Sequence, residues 1–408
     1  MTIHIFHKSI RIAVDAHKTT RNYFEKARSM SVDCGIEDLA QLIDWHLSDV
    51  AQSEAYWKSI HISPDRTPLP FFEILPSATA TAAPTVEIDH CLDRARKFLC
   101  FDLESRESWE IQRTGLWARD LLVGDVFSRA LVAESLAECG MAVPEMIEAI
   151  LYQYRDNGWR YYRDFKALPP DIDDIAQAIR LLNYTDWDNK KRNDFLEKPL
   201  RWLAVNQTSD GGFPVWLTHG VEDEPEGGWV PLGGFRCIAC EANLLSAFAD
   251  GHPKKTGVWL VDGVKSILDL WDVEAYSGIY YYKPTIGSAI VALCLSRSLK
   301  KEDADSAVIE QFQDKLQILA EHRLRPTSAQ DSLSLAAQIQ IQLLTREPPI
   351  ESINQTVAVL KSRQSFDGGW EAVDYFRCPG STSHSIGWHR GRLLTTQYIT
   401  RVLAQIVE

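Results

Sequence analysis

The chain has 408 residues, of which 45% are hydrophobic and 24% charged, and its formal net charge is −13. That composition is ordinary for a soluble globular protein, and the length suits one large domain or two to three smaller ones. The acidic balance and the absence of any Lys/Arg run exclude a nucleic-acid partner and disfavour electrostatic docking on anionic lipid.

The N-terminus, MTIHIFHKSIRIAVDAHKTTR, lacks the apolar centre of a signal peptide. No stretch approaches the ~20 apolar residues of a membrane span. The expectation is a cytoplasmic protein with no transmembrane segment, whose membrane contact is at most transient. Residues 9–28 and 36–61 read as helices, and 62–85, with five Pro and the run SATATAAPT, as a linker or wrapping loop. Residues 1–85 are therefore expected to form a helical extension that covers one end of the main domain.

From Val86 onward, apolar residues recur at helical spacing in pairs of segments. The pairs are 86–98 with 126–136, 145–154 with 175–182, 195–205 with 240–249, 258–271 with 288–295, 306–320 with 332–344, and 350–360 with 393–403. The first member of each pair is amphipathic. The second is apolar nearly all round and richer in small residues. Alternation of this kind places the second members in an inner ring and the first in an outer one. Residues 86–408 are thus expected to form a single all-α (α/α)6 barrel of six helical hairpins.

Three loops between paired helices share one pattern: Gln153 with Asp156 and Trp159, Gln207 with Asp210 and Phe213, Gln364 with Asp367 and Trp370. In each, Gln precedes Asp by three residues and an aromatic by six. The Gln residues are 54 and then 157 residues apart, close to one and three units of a fixed period. Gln is expected to bond the open carbonyls at the end of its helix, Gly to supply the left-handed turn, and the aromatic to fold back as a staple.

One inner helix begins unusually. Pro169-Pro170 precede Asp171-Ile172-Asp173-Asp174, and an apolar run follows. One Asp explains an N-cap. Three carboxylates at the start of a buried helix point to acid–base chemistry. Burial and neighbouring carboxylates both raise an Asp pKa, so Asp171 and Asp174 are expected to keep Asp173 protonated, while helix N–H groups stabilise its carboxylate once the proton leaves. The three titrate as a group.

Leu203, Gln207, Gly211 and Phe213, and likewise Leu360, Gln364, Gly368 and Trp370, resemble the QW repeats of squalene–hopene cyclases and related class II terpene cyclases. Asp171-Ile172-Asp173-Asp174 resembles their D-x-D-D motif, whose middle Asp donates the initiating proton. The resemblance covers about 320 residues. This chain has room for one barrel, where the family usually has two or three helical domains, so it is most similar to single-domain meroterpenoid cyclases. It implies protonation-initiated cyclisation of a prenylated aromatic acid such as geranylgeranyl-dihydroxybenzoate, without metal or other cofactor. Asp173 would be the donor, assisted by Asp171 and Asp174.

A carbocation needs π faces around it. The loops leading into inner helices carry Trp117, Tyr161, Tyr162, Trp216, Trp229, Phe235, Tyr280, Tyr281, Tyr282, Tyr375, Phe376 and Trp388. Of these Trp117, Tyr161, Trp229, Tyr281 and Trp388 are the candidates for substrate binding. Arg236 and Arg392 precede or open inner helices and are candidates to pair with an acidic head group. His384 and His389 read as surface histidines of a Gly/Ser-rich loop.

Three other readings compete. A linear prenyl diphosphate such as geranylgeranyl diphosphate would need Mg²⁺ on the acidic loop Glu222–Glu226. A zinc prenyltransferase would need an Asp-x-Cys that Cys237 and Cys240 lack. A non-catalytic lipid- or peptide-binding barrel leaves the Asp cluster unexplained.

Overall fold

The computed structural model describes residues 84–105, 111–114, 119–121, 125–141, 143–156, 158–161, 169–221, 236–251, 253–273, 279, 281–301, 305–322, 330–377 and 388–407. The expected N-terminal helices and wrapping loop lie outside these residues. The chain divides into two compact units. The larger comprises Pro84–Gln112, Asp120–Ser381 and Trp388–Glu408; the smaller comprises Met1–Ala83, Arg113–Arg119 and Thr382–Gly387. Two short strands, β1 (Ile111–Thr114) and β2 (Arg119–Leu121), fall at the boundary in sequence.

The larger unit is an (α/α)6 barrel. Its inner helices are α2 (Asp125–Glu138), α4 (Ile172–Leu182), α6 (Ile238–Gly251), α8 (Pro284–Lys301), α10 (Ser332–Leu344) and α12 (Arg392–Val407). Each packs on the next, and α12 closes the ring on α2. The outer helices are α1 (Pro84–Ser105), α3 (Pro144–Asp156), α5 (Asn189–Asn206), α7 (Pro253–Leu270), α9 (Ser306–His322) and α11 (Ile350–Arg363). All eleven residues of α4 are buried, whereas α3 buries Ile147, Ile150, Leu151 and Tyr154 at spacings of three, one and three. That contrast sets inner against outer position. Strands β3 (Val373–Arg377) and β4 (Trp388–Gly391) form an antiparallel hairpin just before α12. Among the described residues no helix is long and apolar enough to cross a membrane.

The repeat loops tie outer helix to inner helix. Trp159, Phe213 and Trp370 are all buried. Gly211 and Gly368 have φ of 82° and 96°, which a side chain would strain. The Gln207 and Gln364 amides bond the loop and not their own helix ends, and the Gln153 Oε1 accepts from Arg129 at 3.0 Å. Gln207 Nε2 donates to the carbonyl of Gly211 at 3.2 Å, and Gln364 Nε2 donates to Gly368 and to Cys91 on α1, both at 2.9 Å. The loop's turn carries its carbonyl back toward the Gln and away from water, so the amide is used there.

The second Gly of each Asp-Gly-Gly makes room for an arginine. A Cβ on Gly212 would stand 2.1 Å from the Arg236 guanidinium, and one on Gly369 would stand 2.8 Å from that of Arg392. Arg236 bonds Glu241 at 2.8 and 2.6 Å and also reaches Asp210. Arg392 makes a two-pronged pair with Asp367 at 2.8 and 2.7 Å. In these two loops the unit is therefore Gln, Asp, Gly, Gly and aromatic, with an Arg at the start of the next inner helix; the first loop, with Asp156-Asn157-Gly158, leads instead to Asp171.

Candidate active site

Pro169 and Pro170 favour an extended backbone, and Asp171 continues it at φ −120°, ψ 156°. Its side chain is the N-cap of α4: Oδ1 accepts from the N–H groups of Asp173 and Asp174, both at 2.9 Å. The entry to α4 is stitched to two repeat loops. The Asp171 N–H donates to the Trp159 carbonyl at 3.3 Å, the Ile172 N–H to Val215 at 3.0 Å, and the Leu217 N–H to Pro170 at 2.9 Å. Trp159 itself has φ 61°, a left-handed conformation costly for an aromatic residue and held here by its burial. The strained carbonyl thus helps to place the acid cluster.

The three carboxyls have three environments. Asp171 is occupied as the cap. Asp174 turns away, near Asp171 and the Tyr154 hydroxyl but without a well-aligned hydrogen bond. Asp173 alone is supported by side chains from elsewhere in the ring. Its Oδ1 accepts from Asn243 Nδ2 on α6, and its Oδ2 accepts from the Tyr282 hydroxyl and, at 3.7 Å, from the Cys240 thiol. The helix N–H groups expected to support Asp173 are committed to Asp171 instead, because the cap oxygen lies closer to them.

Burial raises all three. It pushes Asp171 up to about 6. It lifts Asp174 well above the ordinary range, with further help from the Asp171 charge. It raises Asp173 as well, while the Tyr282 hydroxyl, the Asn243 amide, the Arg180 charge and the Cys240 thiol pull that group down. Desolvation, and not the neighbouring acids, is what raises Asp173. Its distinction is to be a buried acid whose conjugate base has hydrogen-bond donors waiting. Tyr282, raised well above the usual tyrosine range by burial and then by Asp173, remains a donor.

Asp171 and Asp173 open on a cavity walled by Phe127, Tyr161, Trp216, Tyr281, Tyr282 and Phe376. Phe376 lies edge-on to Phe127 and Tyr161 at 5.8 and 5.7 Å, and Trp216 is edge-on to Tyr281 at 6.0 Å. The Trp216 Nε1–H also donates to the Tyr281 hydroxyl at 2.8 Å. The cavity holds about 40 Å³, room for roughly three waters. Among the described residues, these large side chains pack closely around the space in front of Asp173.

The candidate residues fare unequally. Asp171, Asp173, Tyr161 and Tyr281 meet at the cavity. Arg236 and Arg392 do not line it and are neutralised by Asp210 and Glu241 and by Asp367. Trp388 is half-buried at the start of β4 and also does not line it. Trp117 and Trp229 lie outside the described residues, as does the acidic loop Glu222–Glu226. His389 is not at the surface: it is fully buried, 5.0 Å from Phe376 and 5.5 Å from Tyr161. The structure adds Phe127 and Asn243, which the sequence does not single out, and gives Cys240, weighed above only as a zinc ligand, a place beside Asp173. The signal for Asn243 was a polar residue in the otherwise apolar run of α6; Phe127 has none, because an inner-helix Phe reads as core.

No protein-family profile and no curated protein sequence matches the chain. Solved structures share its fold. The type II terpene cyclase MstE from Scytonema superposes with a TM-score of 0.56 at 16% identity, covering 78% of this chain and 98% of that one. A variant of MstE in complex with geranylgeranyl dihydroxybenzoate gives 0.56 and 16%, covering 79% and 98%. A UGL variant with the saccharide dGlcA-Glc-Rha-Glc gives 0.52 and 14%, covering 78% and 96%. One barrel therefore serves terpene and saccharide ligands, and the chemistry must be argued from the site.

Proposed function

We propose that this chain is a class II terpene cyclase that cyclises a prenylated aromatic acid such as geranylgeranyl-dihydroxybenzoate. Asp173 gives its proton to the terminal alkene, a tertiary carbocation forms, and the new carboxylate keeps its hydrogen bonds from Tyr282, Asn243 and Cys240. Phe127, Tyr161, Trp216, Tyr281 and Phe376 offer π faces to the cation. The observation that carries this reading is a buried acid, its protonated form favoured by desolvation and its conjugate base met by hydrogen-bond donors, opening on an aromatic cavity. A saccharide site needs polar donors and acceptors along its walls, and this lining has few.

The test is incubation of the purified protein with geranylgeranyl-dihydroxybenzoate, and with geranylgeranyl diphosphate with and without Mg²⁺, followed by mass and NMR analysis of products. Cyclised meroterpenoid from the first substrate is expected, and Asp173→Asn should lose about 10³-fold or more in rate with its melting temperature preserved. Full activity in Asp173→Asn ends the proposal. Turnover of the diphosphate alone, abolished by EDTA, replaces it with the Mg²⁺-dependent reading.

A further inference from the structure

A second cavity lies deeper in the inner ring. Arg180 stands seven residues after Asp173 on α4, about 10 Å along the axis at 1.5 Å per residue. Its guanidinium is buried but poorly partnered. Nη1 reaches Ser246 at 3.2 Å, Nη2 reaches the Cys294 sulfur at 3.9 Å, and Nε stands 3.5 Å from Glu134. Glu134 is held more tightly by Gln177, at 2.7 Å. Nearby, Arg401 and Arg297 share Glu138, at 2.6 and 2.8 Å. Arg401 also stands 3.5 Å from Glu134, and Arg297 is partly exposed to solvent, so the two buried guanidinium groups are each matched by a carboxylate and Arg180 keeps the loosest contacts.

The Tyr398 hydroxyl has no hydrogen-bond partner although the residue is only 6% exposed. Arg180, Arg401 and Tyr398 line the same cavity of about 40 Å³, and Tyr282 lines both this cavity and the aromatic one. A buried guanidinium with loose hydrogen bonds and an unbonded buried hydroxyl are donors left underused. One small anion with two oxygens relieves both. A guanidinium fork and a hydroxyl are donors matched to a carboxylate, and the volume suits a single small anion.

We infer that this inner cavity is a carboxylate subsite formed by Arg180 and Tyr398 in the field of Arg401. If the cyclase reading holds, on which this second step rests, it takes the acid group of the substrate, on the far side of Tyr282 from the proton donor. The head group then sits inside the ring and not at the mouth, where Arg236 and Arg392 already have partners. A substrate so held is fixed at both ends, its acid at Arg180 and its terminal alkene at Asp173.

Acetate is the probe for the subsite itself. Thermal melts in sodium acetate, compared with sodium chloride at equal ionic strength, should show a saturable rise of about 2 °C in the wild type. The rise should vanish in Arg180→Met and weaken about tenfold in midpoint in Tyr398→Phe. No rise in the wild type, or an undiminished rise in Arg180→Met, overturns the proposal. With prenylated substrate, Tyr398→Phe should raise KM for the free acid about tenfold and leave KM for its methyl ester unchanged; equal losses on both would mark Tyr398 as structural and also overturn it. A wild type that cyclises neither acid nor ester refutes the cyclase reading, while the acetate melts still decide the subsite.

Discussion

The two ends of the inner ring withdraw ionisable groups from solvent, fully at the start of α4 and partly around Glu138, and treat them in opposite ways. At the start of α4, three carboxyls lie together and the nearest supporting groups are neutral donors: an amide, a phenol, a thiol and backbone N–H. Burial then wins, and the acids hold their protons into a higher pH range. At the far end, burial works against the charge of Glu138, yet Arg401 and Arg297 hold it down at about 2. Depth does not decide protonation; the charge of the partner does. A proton donor can be built at the first end and not at the second.

The largest effect that would break this contrast is at the charged end. Glu138→Ala leaves Arg297 and Arg401 without their shared carboxylate and should cost about 3–5 kcal/mol, read by chemical denaturation. The pH signature follows from the lowered value. A carboxylate depressed from 4.5 to about 2 contributes stability that is present above pH 4.5 and lost as pH falls toward 2. Wild type should therefore lose stability over that window, and Glu138→Ala should lose less.

The acid end should respond in the opposite sense. Asp171 is raised from 3.8 to about 6, so the folded chain holds a proton there that the unfolded chain has lost. Its contribution is fully present below pH 3.8 and disappears as pH rises through 6. Asp171→Asn keeps a good N-cap and removes that loss, on the order of 2–3 kcal/mol. Melting temperatures at pH 4 and pH 7 should differ less in the variant than in the wild type; an unchanged difference would mean that Asp171 is ionised throughout.

The smallest effect sharpens the reading of Asp173. Tyr282→Phe deletes one donor to the carboxylate that forms as the proton leaves Asp173, and leaves the cavity wall in place. Turnover should fall about thirtyfold, equivalent to about 2 kcal/mol for a hydrogen bond to a charged group, with KM within threefold. A rise in KM without a fall in kcat would make Tyr282 a wall of the cavity and nothing more.

The architecture was legible because it rests on local rules. Amphipathic and all-round apolar helices alternate, and that alternation fixes two rings; the Gln–Asp–Gly–Gly–aromatic spacing marks the loops between them; Pro169-Pro170-Asp171 marks a capped helix start. The roles within the site were not legible, because each depends on partners distant in the chain. Arg236 and Arg392 looked available until Asp210, Glu241 and Asp367 came beside them. His389 looked exposed until Tyr161 and Phe376 closed over it. Asn243 and Tyr282 lie 70 and 109 residues from Asp173 and meet it through ring closure. The sequence by itself determined six hairpins, an acid cluster at one helix start and the stapled loops, since period and capping act within a few residues. Only the tertiary structure decided which of three carboxyls is supported, which arginines are already paired and which buried donors are left loosely bonded, since desolvation and charge pairing are set by whatever the fold brings within a few ångströms.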